Sequence, residues 1–168
     1  MLFPLHKHDR SASDSRSQRA DASAYALLEE ARLRCERLSD QTRQDTECAS
    51  LKLVHRHLGM AGYLASSRIA HDQRGELLAI AHKHARQPVQ DAIRALAKTA
   101  LSAERAVERA LADPLASEDM QVTQTHLTHA MDLLKRHATA GPTPSGQPDP
   151  RRPQRSPNSH PPKQNTGR

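Results

Sequence analysis

Eleven histidines and two cysteines are the side chains of this 168-residue chain best suited to chemistry. Imidazole is both the commonest metal ligand and the group that titrates near neutral pH, so its placement is read first. His55 with His57, and His82 with His84, are i, i+2 pairs, which do not share a helix face. A metal held by a helical protein needs two or three histidines converging from facing helices, or Glu-x-x-His pairs. The chain has no Glu-x-x-His, no His-Glu-x-x-His and no Cys-x-x-Cys-His. On a helical wheel His84 joins the seam of Leu77 and His55 lies beside Leu51 and Leu58. His57, His82 and His129 point elsewhere, and His126 and His137 are flanking. The expectation is therefore no metal site and no cofactor, with histidines solvated or internally satisfied. A pH-responsive contact through His84 stays open beside it.

Cys35 and Cys48 lie thirteen residues apart, on either side of a polar stretch. They read most simply as small hydrophobes in helical seams. In a helical hairpin they would approach one another, and an oxidising compartment would then allow a bridge. Two cysteines without matching His or Cys spacing do not make a zinc site. Nucleophile and phosphate motifs are missing too: there is no Gly-x-Ser-x-Gly, no Gly-x-Gly-x-x-Gly and no phosphate-cradling glycine loop. Carboxylates are scattered instead of paired. No enzymatic activity is expected.

The elements that would position these groups are helices. Residues 88–113 carry the clearest pattern, with Val89, Ile93, Leu96, Ala100, Ala103, Val107 and Ala110 spaced alternately by four and three. Pro88 suits a first helical position and Asp113-Pro114 a last one. The same spacing joins Ala24, Leu28, Ala31, Cys35 and Leu38 behind an Asp21 N-cap, with residues 39–47 as a turn. Leu51, Val54, Leu58, Ala61 and Ala65 mark a second helix over 46–66, in which Gly59 and Gly62 signal close packing or a bend. A third spans 68–86, its proper start near Asp72, with Leu77, Ile80, Ala81 and His84 on one side. A fifth follows a Ser117 cap, with Met120, Leu127, Ala130, Met131 and Leu134 on its apolar face. With only Phe3, Tyr25 and Tyr63 as aromatics, the chain reads as an all-α, four- to five-helix bundle over residues 21–139.

Composition changes at both ends. Residues 1–20 alternate serine with small or charged residues and read as a disordered leader. Residues 140–168 hold eight of the eleven prolines and read as a disordered, basic, Pro/Arg-rich tail. The net charge of +6 divides into +4 on that tail and +2 on the leader, which leaves the body neutral. The high isoelectric point is thus no sign of a basic folded surface. No run is long enough to cross a membrane and no secretory signal is evident, so a cytoplasmic protein with reduced thiols is expected. The excess of arginine over lysine fits a GC-rich, bacterial genome.

One local pattern points elsewhere. Leu78-Ala79, followed by Ala85-Arg86-Gln87-Pro88-Val89-Gln90-Asp91-Ala92-Ile93-Arg94-Ala95-Leu96, resembles the helix-turn-recognition-helix of the GntR-type winged-helix repressors. The resemblance covers about nineteen residues. It implies that Arg86 and Gln90, with Arg94 following, would approach DNA. The departures are His82, Lys83 and His84, where that family has an apolar residue, the turn glycine and a second apolar residue. The helix also continues where the family makes a two-stranded wing. The plain alternative is a proline-started bundle helix.

Three functional expectations follow. The first is a non-enzymatic protein-binding module (adaptor, chaperone or regulator). It would meet a protein partner or a second copy through Leu51, Leu58, Leu96, Val107, Leu127 and Leu134. The second is a nucleic-acid-associated protein using Arg86, Gln90 and Arg94 together with Arg151, Arg152 and Arg155 of the tail, its affinity falling with salt. The third is a secreted bacterial effector with the serine-rich leader as export signal.

Overall fold

The computed structural model describes residues 8–43, 45–114 and 116–139, with side chains from Asp14 onward. The chain forms five helices: α1 (His8–Gln41), α2 (Asp45–Ser66), α3 (His71–Ala85), α4 (Ala92–Leu111) and α5 (Glu118–Thr139). There is no strand among the described residues, so the fold is an all-α bundle. The tail, with Arg151, Arg152 and Arg155, and residues 1–7 lie outside the described residues.

Four helices close a ring. α1 packs on α2, α2 on α5, α5 on α4 and α4 back on α1, while the diagonals α1–α5 and α2–α4 make no substantial contact. Polar contacts fix the directions. Cys35 donates to the Leu51 carbonyl near the α1–α2 hairpin, and Arg68, just past α2, reaches back to Asp21 at 2.8 Å. Ser67 meets Asp119 at the start of α5, and Ser17 donates to Asp113 just past the end of α4. Every neighbouring pair in the ring is therefore antiparallel. α3 is the crossover between the diagonal helices α2 and α4, and it lies outside the ring against α1. Two α1 arginines fasten it: Arg34 donates to the His84 carbonyl at 2.9 Å and Arg37 to the Ala85 carbonyl at 2.6 Å. Cations at a helix C-terminus satisfy otherwise orphaned carbonyls and suit the dipole.

The core is made by the expected seams. Ala24, Leu28, Ala31 and Cys35 of α1, and Leu51, Val54, Leu58, Ala61 and Ala65 of α2, are all fully buried. Leu96, Ala100, Ala103, Val107 and Ala110 of α4 and Met120, Leu127, Ala130 and Leu134 of α5 complete it. Thr123 fills the gap in the α5 stripe by donating its hydroxyl proton to the Asp119 carbonyl at 2.8 Å, which lets a polar residue be buried. Leu33 leaves this core and joins Ala81 and Ala85 under α3, so α1 is buried on two faces.

Several boundaries differ from expectation, each for a local reason. The leader is not irregular from residue 8 onward: α1 begins at His8, thirteen residues before Asp21. Extending a helix upstream of a packed segment avoids the nucleation cost, and Ser17 and Ala20 are half-buried where the extension leaves the bundle. Asp21 is consequently no N-cap but a buried mid-helix carboxylate paired with Arg68. The expected 39–47 turn is shorter than that span, because α1 runs on to Gln41 and α2 starts at Asp45. Pro88 does not start α4. Asp91 caps it, accepting from the Arg94 N–H at 2.9 Å, and leaves Val89 exposed outside the helix. Ser117 does stand immediately before α5, and its carbonyl accepts from the Met120 N–H at 3.0 Å, but its buried hydroxyl has no hydrogen-bond partner among the described residues. On α3, Ala81 and Ala85 face α1 while Ile80 is 47% exposed, because only one narrow side of α3 meets the ring.

Candidate docking face and histidine cluster

The six leucine and valine positions expected to meet a partner are not on the surface. Leu51, Leu58, Leu96 and Val107 are 0% exposed, Leu127 is 1% and Leu134 is 5% exposed. Their apolar area is already removed from water by the ring, so a partner would reach them only by opening the bundle.

Other apolar side chains remain outside. Leu53, Met60 and Tyr63 of α2 and Val122 of α5 are all exposed, Tyr63 at 72%. On α2, Leu53, His57, Met60 and Leu64 succeed one another at intervals of four, three and four. On α5, Val122, His126, His129 and Leu133 repeat those intervals. Residues so spaced share one helix face, and here it is a face beside the core seam, exposed at Leu53, Met60, Val122 and His129 and half-buried at His57, Leu64, His126 and Leu133. His57 and His126 touch across the two antiparallel helices. In that register Met60 lies toward the Val122 end of the face, and Leu53 toward His129 and Leu133. The result is an outer α2–α5 face with apolar ends and a histidine centre.

At that centre the Nδ1 atoms of His57 and His126 are 3.2 Å apart. The His129 ring stands edge-on to His57 with centroids 5.3 Å apart. Burial lowers the His57 pKa below its usual value, and nearby His126, His129 and Arg56 push the same way. By helical spacing alone His57 and His129 point elsewhere and His126 is flanking. The helix pairing brings them together across 69 residues of chain. The signal that would have found them is the second, outward 4-3-4 register on α2 and α5. Among the described residues no group of three or more His, Cys, Asp or Glu is placed to hold a metal.

The remaining expected groups are scattered. His84 faces Glu30 across α1 and α3 at 3.4 Å, with its side chain about half exposed. His55 lies 3.5 Å from Arg32. Cys35 and Cys48 are both free thiols. Burial pushes the Cys35 thiol up to about 12, and Cys48 faces Ser39 instead of Cys35. Arg86, Gln90 and Arg94 are exposed. However, α3 rests on α1 and at most grazes α4, unlike the mutually packed pair of a helix-turn-helix, and α4 continues as helix to Leu111 in place of a wing.

A second polar cluster closes the other end of the ring. Asp21 is 3% exposed, and Arg68 bridges it to Asp113, with Ser17 on the same carboxylate. Each charge there has an opposite partner, so the cluster ties α1, the α2–α3 turn and the end of α4 together.

No helix among the described residues is long and apolar enough to cross a membrane. Comparison with protein-family models, with curated proteins and with solved structures found no match to this chain.

Proposed function

We propose that this chain is a non-enzymatic helical-bundle protein-binding module, an adaptor or regulator. It takes an amphipathic helix of a partner protein onto the outer α2–α5 face. The observation that carries the reading is the exposed Leu53 and Met60 on α2 beside Val122 on α5, with half-buried Leu64 and Leu133 at the ends of the same face. Matched 4-3-4 stripes on two adjacent helices offer holes at the spacing of a third helix's apolar residues. The buried seams, which the sequence alone suggested as the interface, serve the bundle itself. A cytoplasmic setting belongs to the same reading. The nucleic-acid alternative through Arg86, Gln90 and Arg94 has less support, because α3 and α4 do not brace one another behind that turn.

The test compares partner capture by the full chain, by a Leu53→Glu/Met60→Glu variant, and by Leu101→Glu on the outer face of α4. Far-UV circular dichroism checks that each is folded. A partner held by the wild type and by L101E, but lost from the double variant, supports the reading. A partner retained by all three places the interface elsewhere. Sedimentation of the same proteins separates a foreign helix from a second copy of this chain.

A further inference from the structure

The His57–His126 contact joins α2 to α5 through two Nδ1 atoms 3.2 Å apart. The ring centroids are 5.5 Å apart, which is that separation plus one ring radius at each end, so the two nitrogens point at one another. Head-on nitrogens at this distance make a hydrogen bond, which needs one Nδ1–H and one bare Nδ1. In the neutral pair one ring carries its hydrogen on Nδ1 and the other on Nε2. A first added proton can go to the outer Nε2 of the donating ring, and the bridge survives as a charge-assisted bond. A second must land on the accepting Nδ1. Two N–H groups then face each other with no acceptor between them, and the rings have to part.

No neighbouring carboxylate offsets the added charge. The groups acting on His57 are His126 and His129 from α5 and Arg56 from its own helix, with no acid of α1, α4 or α5 among them. On its other side α2 meets α1 through Arg32, which lies by His55 and not His57. Neither His126 nor His129 has an ion pair with α4 or any other element among the described residues. On α5 itself, Asp119 accepts from Ser67 and Asp132 lies 3.7 Å from Lys135.

We propose that His57 and His126 form a proton-counting latch at the centre of the outer α2–α5 face, closed with no or one added proton and opened by the second. Opening turns a joined, neutral centre into a cationic one, with Arg56 and exposed His129 beside it. Burial and the neighbouring positive groups, which hold His57 below its ordinary value, put the opening below pH 6.5. Acid would then release an apolar partner helix; that consequence, unlike the latch, rests on the docking proposed above.

The experiment is nitrogen-15 NMR of the histidine rings in the full chain, titrated from pH 7.5 to pH 5. At pH 7.5 the two rings should share one Nδ1 proton. On acidification they should titrate as a coupled pair, in two steps separated by more than about one pH unit. In His126→Gln, His57 should titrate in a single step above the wild type's second one, while His129→Gln should keep both steps. The wild-type spectra decide the matter even where a variant does not fold. Two Nε2–H rings at pH 7.5, or two independent and coinciding titrations in the wild type, overturn the latch. Partner capture at pH 7.5 and pH 5 tests the coupling separately. A partner still held at pH 5 by a chain whose ring pair has opened overturns the release and leaves the latch.

Discussion

α4 and the outer face of α2–α5 use apolar residues in opposite ways. On α4 every large apolar residue but one points inward, and the outer face carries Arg94, Lys98, Arg105, Glu108 and Arg109 with Leu101 as the exception. On α2, a complete inner seam coexists with Leu53, Met60 and Tyr63 outside. A cleanly two-sided helix has its apolar surface already spent within the fold. A helix that is apolar on a second side has surface left over. The alanine-rich seam of α4 is filled from both sides by α1 and α5. Small residues there permit close approach of the helices; they do not leave a vacancy.

The strongest way to break this contrast is to truncate one leucine on each side. Leu96→Ala should cost about 2–5 kcal/mol in denaturant unfolding, the range for a fully buried leucine whose loss leaves a cavity. Leu53→Ala should change stability by no more than about 0.5 kcal/mol, as exposed substitutions do. Equal losses would mean that Leu53 belongs to the core and that the outer stripe is not spare surface. At the end where α4 closes on α1, Asp21→Ala leaves Arg68 without its buried partner. A charged hydrogen bond of this kind is worth about 1.5–3 kcal/mol. The low end is expected, because the Arg68 side chain is 23% exposed and also reaches Asp113. The same loss in Asp21→Asn would show that charge matters more than the side chain's shape.

Acid should act on the α2–α5 side and spare the α4 side. The His57 pKa is lowered from an ordinary 6.5, by burial first and then by His126, His129 and Arg56. The unfolded chain therefore binds a proton there that the folded chain resists. Stability from this group is complete above pH 6.5 and is lost as pH falls from there through the folded value. Unfolding midpoints measured from pH 7.5 to pH 5 should show that loss in the wild type and less of it in His57→Gln. Identical pH profiles would remove His57 as the cause. Small gains in stability are expected at two glycines. At Gly75 on α3 an added Cβ meets nothing, so Gly75→Ala should gain up to about 1 kcal/mol from helix propensity. At Gly62 the Cβ would come 2.5 Å from the Glu29 Oε1, which must swing away and loosen its pairing with Arg32. Gly62→Ala should therefore gain less than Gly75→Ala in the same thermal melts, and an equal gain would show that Glu29 moves freely.

Much of the fold was legible because inner seams are local patterns. Ala24 through Cys35, Leu51 through Ala65 and Leu96 through Ala110 are each read from one helix's own periodicity, and each is buried. The caps were less legible. Asp21, Pro88 and Ser117 are good initiators by residue type, but the first lies mid-helix, the second precedes the helix by several residues, and the third stands at the start of α5 with no partner for its hydroxyl among the described residues. Where a helix starts depends on whether the chain beyond the cap finds something to pack on. The candidate site was not legible at all in its first form. Leu51 and Leu58 look as available as Leu53 and Met60 until the ring closes and buries one set.

The sequence by itself determined the helices and their inward faces, since an apolar residue every three or four positions must turn toward a common interior. It also set the neutral charge of the body. Only the tertiary structure decided that α3 leaves the ring, that α2 lies against α5, and that His57 meets His126. Those outcomes depend on which seams pair, and seams built from the same leucines and alanines are interchangeable in pattern. Crossing order, hairpin length and the Asp21–Arg68–Asp113 tie choose among them.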